Sequence, residues 1–331
     1  MPTGFCASFA TVALLTAAAT LAATPREVTV TDGPVTLHGT LLLPDGDAKV
    51  PGVVIVAGSG ATDRDGNSRL GAETLHNDSL KLLAEGLATR GIASLRFDKR
   101  AIGASKVIGL DETTLRFGTY VGDAVKWSAL LAAEPRVSRV VLIGHSEGAL
   151  VATLAAAAPQ KGASAEHFSV AGVVTIAGAG EPAAAVLRRQ FHSGALPAGL
   201  VGPADATLDS LVAGTAVANP PPALLALFRP SVQPYLMSWL PLDPAKELAK
   251  LTVPVLVVQG TTDLQIGEDD AKRLVAAVPS AKLVLIPGMN HVLKTAPADR
   301  AANVATYHDP SLPLAPGLLD AVAGFVTETG K

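Results

Sequence analysis

Val140-Val141-Leu142-Ile143-Gly144-His145-Ser146-Glu147-Gly148-Ala149-Leu150 decides the reading of the fold. Four apolar residues, three of them β-branched, end at a glycine, as in a strand buried on both faces. From Glu147 to Ala158 the chain is rich in Ala and Leu and stops at Pro159, as a helix does. Between the two lies G-x-S-x-G in a strand, turn and helix context. Glycines on either side of Ser146 permit a sharp, strained turn, because a side chain at either place would collide with the neighbouring strand and helix. Such a turn pushes the Ser146 hydroxyl out at the edge of a sheet.

Working outward, the same alternation recurs. Short apolar runs at 52–57, 92–97, 139–144, 171–177, 253–259 and 281–286 are separated by helical stretches at 78–89, 120–133, 147–158, 269–278 and 316–327. Gly91, Pro135, Pro159 and Pro279 follow four of these helices where a helix must end. The pattern predicts βαβ units: an α/β fold with a mostly parallel central sheet and helices on both faces. Before it, residues 27–32 and 35–43 alternate apolar and polar around Asp32-Gly33-Pro34, which predicts an N-terminal β-hairpin. Residues 181–248 break the alternation with scattered prolines, among them Pro220-Pro221-Pro222. A structureless loop of that length is unusual in a compact domain, so short helices forming a lid over one end of the sheet are expected. A solvent-facing decoration is the alternative.

The 331 residues are 49% apolar with a formal net charge of −3, enough for a sizeable core and without the basic stripe that nucleic-acid binding needs. Nor is there a polybasic membrane anchor. The segment 1–23 carries an apolar stretch from Phe9 to Ala23 and then turns polar, as a secretory signal peptide does, although no Lys or Arg precedes the stretch. Its apolar run is short for a bilayer span. The expectation is a mature domain of residues 24–331, secreted or periplasmic, with no stable membrane association. Cys6, the single cysteine, lies inside the signal segment, so no cysteine nucleophile or disulfide is expected in the mature chain.

A serine hydroxyl needs a base to take its proton and a third group to hold that base. Asp263 follows the strand run in Gln259-Gly260-Thr261-Thr262-Asp263, and His291 follows the next in Ile286-Pro287-Gly288-Met289-Asn290-His291. Loops at the carboxyl ends of parallel strands share one edge, and the order Ser146, Asp263, His291 suits this architecture. Asp263 could instead cap the following helix, but Asp269 or Asp270 can do that. Of the other histidines, His308 is the rival to His291; His38, His145 and His192 follow no late strand. Two backbone amides are expected to face the oxyanion of the tetrahedral intermediate: that of Glu147 at a helix N-terminus, and that of Ser59 in Ala57-Gly58-Ser59-Gly60, with Gly60 next. The Gly58 loop lacks the Lys-Ser/Thr of a phosphate-binding loop. No H-E-x-x-H or dinucleotide glycine fingerprint occurs, so neither metal nor cofactor is expected.

Three stretches together carry a resemblance: Gly58-Ser59-Gly60 with Asp63-Arg64-Asp65-Gly66, Arg96-Phe97-Asp98-Lys99-Arg100-Ala101-Ile102-Gly103-Ala104-Ser105, and Gly144-His145-Ser146-Glu147-Gly148. From about residue 27 onward the chain resembles the α/β-hydrolase superfamily, specifically bacterial esterases of its serine-aminopeptidase-like, dienelactone-hydrolase-related branch. Ala101 stands where such proteins usually carry Gly, and Ala61-Thr62 where a Pro is common. The resemblance implies cofactor-free hydrolysis of short-acyl esters through an acyl-enzyme, with Asp98, Lys99 and Arg100 as scaffold. Charges just after a strand can lock the loop beside the serine by ion pairs. Asp63, Arg64 and Asp65 fit the same role, although an inward Arg64 could bind a substrate carboxylate. A serine peptidase of the aminopeptidase type is the first alternative; it needs an acidic grip on a peptide amine, for which Glu147 is the candidate. A non-catalytic binding module is the second, and the intact Ser, Asp and His argue against it. Low aromatic content suggests a pocket of Leu, Ala and Met for small apolar acyl groups. Nothing in the sequence speaks to oligomeric state.

Overall fold

In the computed structural model, which describes residues 23–70, 73–105, 111–159 and 169–330, the apolar runs join the hairpin in one eight-stranded sheet. The expected signal segment lies outside the described residues except for Ala23. The strands are β1 (Thr24–Asp32), β2 (Val35–Leu43), β3 (Val50–Val56), β4 (Ala93–Phe97), β5 (Val137–His145), β6 (Val170–Ile176), β7 (Val255–Gly260) and β8 (Lys282–Ile286). Their order across the sheet is β1-β2-β4-β3-β5-β6-β7-β8. β1 and β2 pair antiparallel, as do β2 and β4, and every other neighbour pair is parallel. The hairpin turns at Gly33, whose φ of 58° suits a residue without a Cβ.

The helices are α1 (Ser79–Ala88), α2 (Phe117–Ala132), α3 (Glu147–Ala157), α4 (Ala183–Gln190), α5 (Ala198–Val212), α6 (Leu225–Phe228), α7 (Gln233–Trp239), α8 (Pro244–Leu248), α9 (Glu268–Ala277), α10 (Arg300–Ala305) and α11 (Leu318–Glu328). They cover both faces, which is why the strand runs are unbroken in apolarity. Val54, Leu142 and Val173 face a core with Trp127 and Leu131 of α2 and Val151 of α3. Their strand neighbours Val53, Ile55, Ile143 and Val174 face the opposite core with Leu80, Leu83 and Leu87 of α1 and Leu318 and Val322 of α11.

Residues 181–248 hold helices α4 to α8, and Phe191, Leu208, Phe228 and Leu236 from this stretch enter the α2/α3 core. The stretch is therefore packed onto the domain and is not a solvent-facing decoration. It also lengthens a neighbour. α2 begins at Phe117, ahead of the expected 120, because the Phe117 amide finds the Ser238 hydroxyl of α7 at 2.8 Å and its ring stacks on Trp239 at 6.1 Å. A small antiparallel ribbon, Ala61–Thr62, Ser68–Leu70 and Glu73–Leu75, is a feature the sequence pattern did not announce. Among the described residues no helix is long and apolar enough to cross a membrane.

Candidate active site

The turn at Ser146 is as tight as its glycines require. A Cβ on Gly144 would lie 2.1 Å from the Gly148 carbonyl oxygen, and one on Gly148 would lie 2.3 Å from that of Val56. Between them Ser146 takes φ 55° and ψ −123°, a left-handed conformation costing a non-glycine residue on the order of 1–3 kcal/mol. Backbone bonds hold it there: the Ser146 amide donates to Ile176 O of β6 at 2.9 Å, and the Ala149 amide donates to Ser146 O at 2.9 Å. The serine thus sits where β5 gives way to α3.

Asp263 and His291 meet on the two loops that follow β7 and β8. Those loops press together at Gly260, where a Cβ would come within 2.1 Å of Met289 O. Asp263 Oδ1 accepts from the amides of Gln265 at 2.8 Å and Ile266 at 3.0 Å, and Oδ2 lies 2.8 Å from His291 Nδ1. A carboxylate only accepts, so the proton of the pair is on Nδ1, and in the neutral ring the lone pair is then the one on Nε2. Burial raises the Asp263 carboxyl, but His291 and the two amides outweigh it and leave the group below the usual carboxylate range, hence ionised. Capping of α9 falls to Asp270, whose Oδ2 accepts from the Gly267 amide at 3.2 Å. His308 is exposed, and His192 pairs with Asp205 at 2.8 Å in the 181–248 stretch, so neither competes.

His145, passed over in the sequence as a mere neighbour of the serine, has a part here. Its Nε2 donates to the backbone carbonyl of His291 at 2.8 Å, and the two rings lie 4.8 Å apart. Burial first, then the nearby His291, push the His145 imidazole down to about 3, so it is a neutral donor that ties the His291 backbone to the residue before Ser146. Among the described residues the Ser146 hydroxyl makes no hydrogen bond to His291. Such contacts commonly tighten only with substrate bound.

Ser146, Ser59 and Glu147 share one cleft, walled by Leu150, Val186, Leu187, Trp239, Pro244 and Ile266 among others. Gly58 lies against the serine; a Cβ there would be 3.2 Å from Ser146 Cβ. Lys99, at the end of β4, is buried and donates from Nζ to the Gly58 carbonyl, with Glu147 Oε1 4.0 Å away. Burial lowers the Lys99 ammonium and raises the Glu147 carboxyl, whose other neighbour is the Tyr235 hydroxyl.

Asp98 and Arg100 serve the scaffold. Asp98 accepts from the amides of Arg64 and Ala104, each at 2.8 Å, and Arg100 grips Asp123 and Asp32 at 2.5 Å each. Arg64 pairs with Glu27 at 2.9 Å and Asp98 at 3.3 Å, so its charge is spent within the fold. Ala101 adopts φ 67°, which accounts for Gly being usual there. Among the described residues no three His, Cys, Asp or Glu side chains gather as metal ligands would.

Residues 53–306 match the Alpha/beta hydrolase family. The chain belongs to that family. Among its relatives is Esterase EstD of Thermotoga maritima, 30% identical over 262 residues that cover 78% of this chain. The match spans 58% of EstD, so this chain corresponds to less than two thirds of that relative's length. The structure of DcsB with a substrate analogue superposes with a TM-score of 0.58 at 18% identity, covering 93% of this chain and 99% of DcsB. Est1E of Butyrivibrio proteoclasticus with ferulic acid superposes with a TM-score of 0.55 at 17% identity, covering 91% of this chain and 96% of Est1E. At such identities these two likenesses establish the fold.

Proposed function

We propose that this α/β hydrolase is a serine carboxylic-ester hydrolase for short-chain acyl esters, with Ser146 as nucleophile, His291 as base and Asp263 as its support. The observations that carry the proposal are the strained Ser146 turn opening into a cleft, and a His291 held through Nδ1 by Asp263 at 2.8 Å and through its carbonyl by His145, the residue before Ser146, at 2.8 Å. His291 Nε2 takes the hydroxyl proton as Ser146 Oγ attacks the ester carbonyl. The Ser59 and Glu147 amides donate to the oxyanion; each such donor is worth about 3–4 kcal/mol of barrier. Collapse expels the alcohol with the proton from His291, leaving an acyl-enzyme. Water, deprotonated by the same imidazole, then releases the acid. The reaction needs no metal or cofactor.

Two carboxylates line the cleft, and neither is free to hold a peptide amine. Glu147 is buried facing Lys99, and Glu181 is paired with Arg189 at 2.6 Å and Arg273 at 2.9 Å. This favours an ester over an aminoacyl amide, and the esterase name of EstD points the same way. The helices of 181–248 act as the lid and limit the acyl chain, a reading supported by Val186, Leu187, Trp239 and Pro244, which line the cleft with Ser146. The signal reading of residues 1–23 makes the protein secreted or periplasmic; sequencing the N-terminus of the exported protein tests it, and a mature chain starting at Met1 would refute it. For the activity, p-nitrophenyl esters from acetate upward are assayed with wild type and Ser146→Ala. Turnover of short esters that vanishes in the variant is expected; equal turnover by both removes the proposal.

A further inference from the structure

Lys99 is the feature of this site that the proposed chemistry leaves unused. Lys99 is 4% exposed, and among the described residues its nearest carboxylate oxygen is Glu147 Oε1 at 4.0 Å, against the 2.5 Å at which Arg100 meets Asp123. Its hydrogen bond goes to a backbone carbonyl, that of Gly58. Burying an ammonium against one carbonyl and a carboxylate 4.0 Å away costs stability, a cost that a role at the site would explain.

We propose that Lys99 is the positioning residue of the oxyanion hole, setting the Ser59 amide through the peptide plane it shares with the Gly58 carbonyl. In a trans peptide the carbonyl of one residue and the N–H of the next point in opposite directions from one rigid plane. A lysine that draws Gly58 O to one side turns the Ser59 N–H to the other. Gly58 lies against Ser146, 3.2 Å from its Cβ to the position a side chain would take, and Ser59 lines the cleft. Gly60, at φ 66°, lets the loop turn away immediately afterwards. Glu147, the residue with the other amide, supplies the nearest carboxylate among the described residues, 4.0 Å from Nζ. The Tyr120 ring packs against the ammonium, its centroid 5.7 Å from Nζ. The inference rests on Ser146 being the nucleophile.

Lys99→Met keeps the apolar stem and removes the donor. Its kcat for p-nitrophenyl butyrate is expected to fall about 10- to 100-fold, since the amide is left misaimed and not deleted, with KM within about threefold of wild type. A trifluoromethyl ketone of matched chain, whose hemiketal oxyanion needs the same donors, should weaken by the same factor as kcat/KM, while inhibition by butyrate is unchanged. A purely structural role would not move the ketone and the rate together in folded protein. If Lys99→Met does not fold because it strands the Glu147 carboxylate, Lys99→Met with Glu147→Gln removes both charges and carries the same expectation. Folded variants whose kcat and ketone affinity stay within about threefold of wild type overturn the proposal, as does failure of both variants to fold. Ser146→Ala run alongside separates the two claims. Turnover surviving in that variant sinks the nucleophile reading itself, whereas its loss with an unimpaired Lys99→Met sinks the lysine alone.

Discussion

Replacing His145 by Gln should flatten the acid side of the stability curve. In the folded protein burial and His291 hold the imidazole down at about 3, against 6.5 for the free side chain. As pH falls below 6.5 the unfolded chain gains a proton on His145 that the folded chain refuses, so acid draws the equilibrium toward unfolding until pH reaches about 3. At pH 5 the unfolded imidazole is mostly protonated and the folded one is not. With about 1.36 kcal/mol per pH unit this costs about 2 kcal/mol relative to neutral pH, and any folded value below about 4 gives nearly the same figure. The buried carboxyls of Asp123 and Glu147, both raised chiefly by burial, titrate with the opposite sign, but they are common to wild type and variant and cancel in the difference. Gln keeps a side-chain amide that can donate to the His291 carbonyl. Urea unfolding followed by circular dichroism at pH 7 and pH 5 measures the effect. Wild type should lose about 2 kcal/mol more than His145→Gln across that interval. Equal losses would refute the reasoning, because they would mean His145 is either protonated in the folded state or not buried.

Gly148→Ala sets a Cβ 2.3 Å from Val56 O and 2.7 Å from Ala57 O, backbone atoms of β3 and its end that cannot move aside; a loss of about 3 kcal/mol or more and of all turnover is expected, and a wild-type thermal melt would contradict it. Asp263→Asn should keep the fold but lower kcat by about 10³- to 10⁴-fold, since an amide in place of the carboxylate no longer fixes the proton on His291 Nδ1; steady-state kinetics with an unchanged melt tests this, and a loss under tenfold would count against the triad. Trp239→Ala enlarges the cleft and frees the ring stacked on Phe117, so the ratio of kcat/KM for octanoate over butyrate p-nitrophenyl esters should rise by about tenfold; an unchanged ratio would show that α7 does not bound the acyl chain.

The features legible in the sequence are those written in neighbouring residues. Unbroken apolar runs followed by helix stops announced the parallel strands and the helices between them, because a strand covered on both faces has no polar side to show. G-x-S-x-G located the Ser146 turn, since only glycine tolerates backbone at 2.1 and 2.3 Å where its Cβ would be. The positions of Asp263 and His291 after consecutive parallel strands were enough to bring them to the same edge, and they lie 2.8 Å apart. By contrast, Gly58 and Lys99, 41 positions apart, and His145 and His291, 146 apart, carry no local mark of the contacts that join them. Whether Glu147 and Arg64 are free for a substrate or engaged within the fold was likewise open until Lys99, Glu27 and Asp98 were seen beside them. Lengthening of α2 to Phe117 depended on a hydroxyl from α7. Charge state and hydrogen-bond partnership depend on burial and on which distant segments pack together, quantities that a linear pattern of residue types does not contain and that only the packed chain decides.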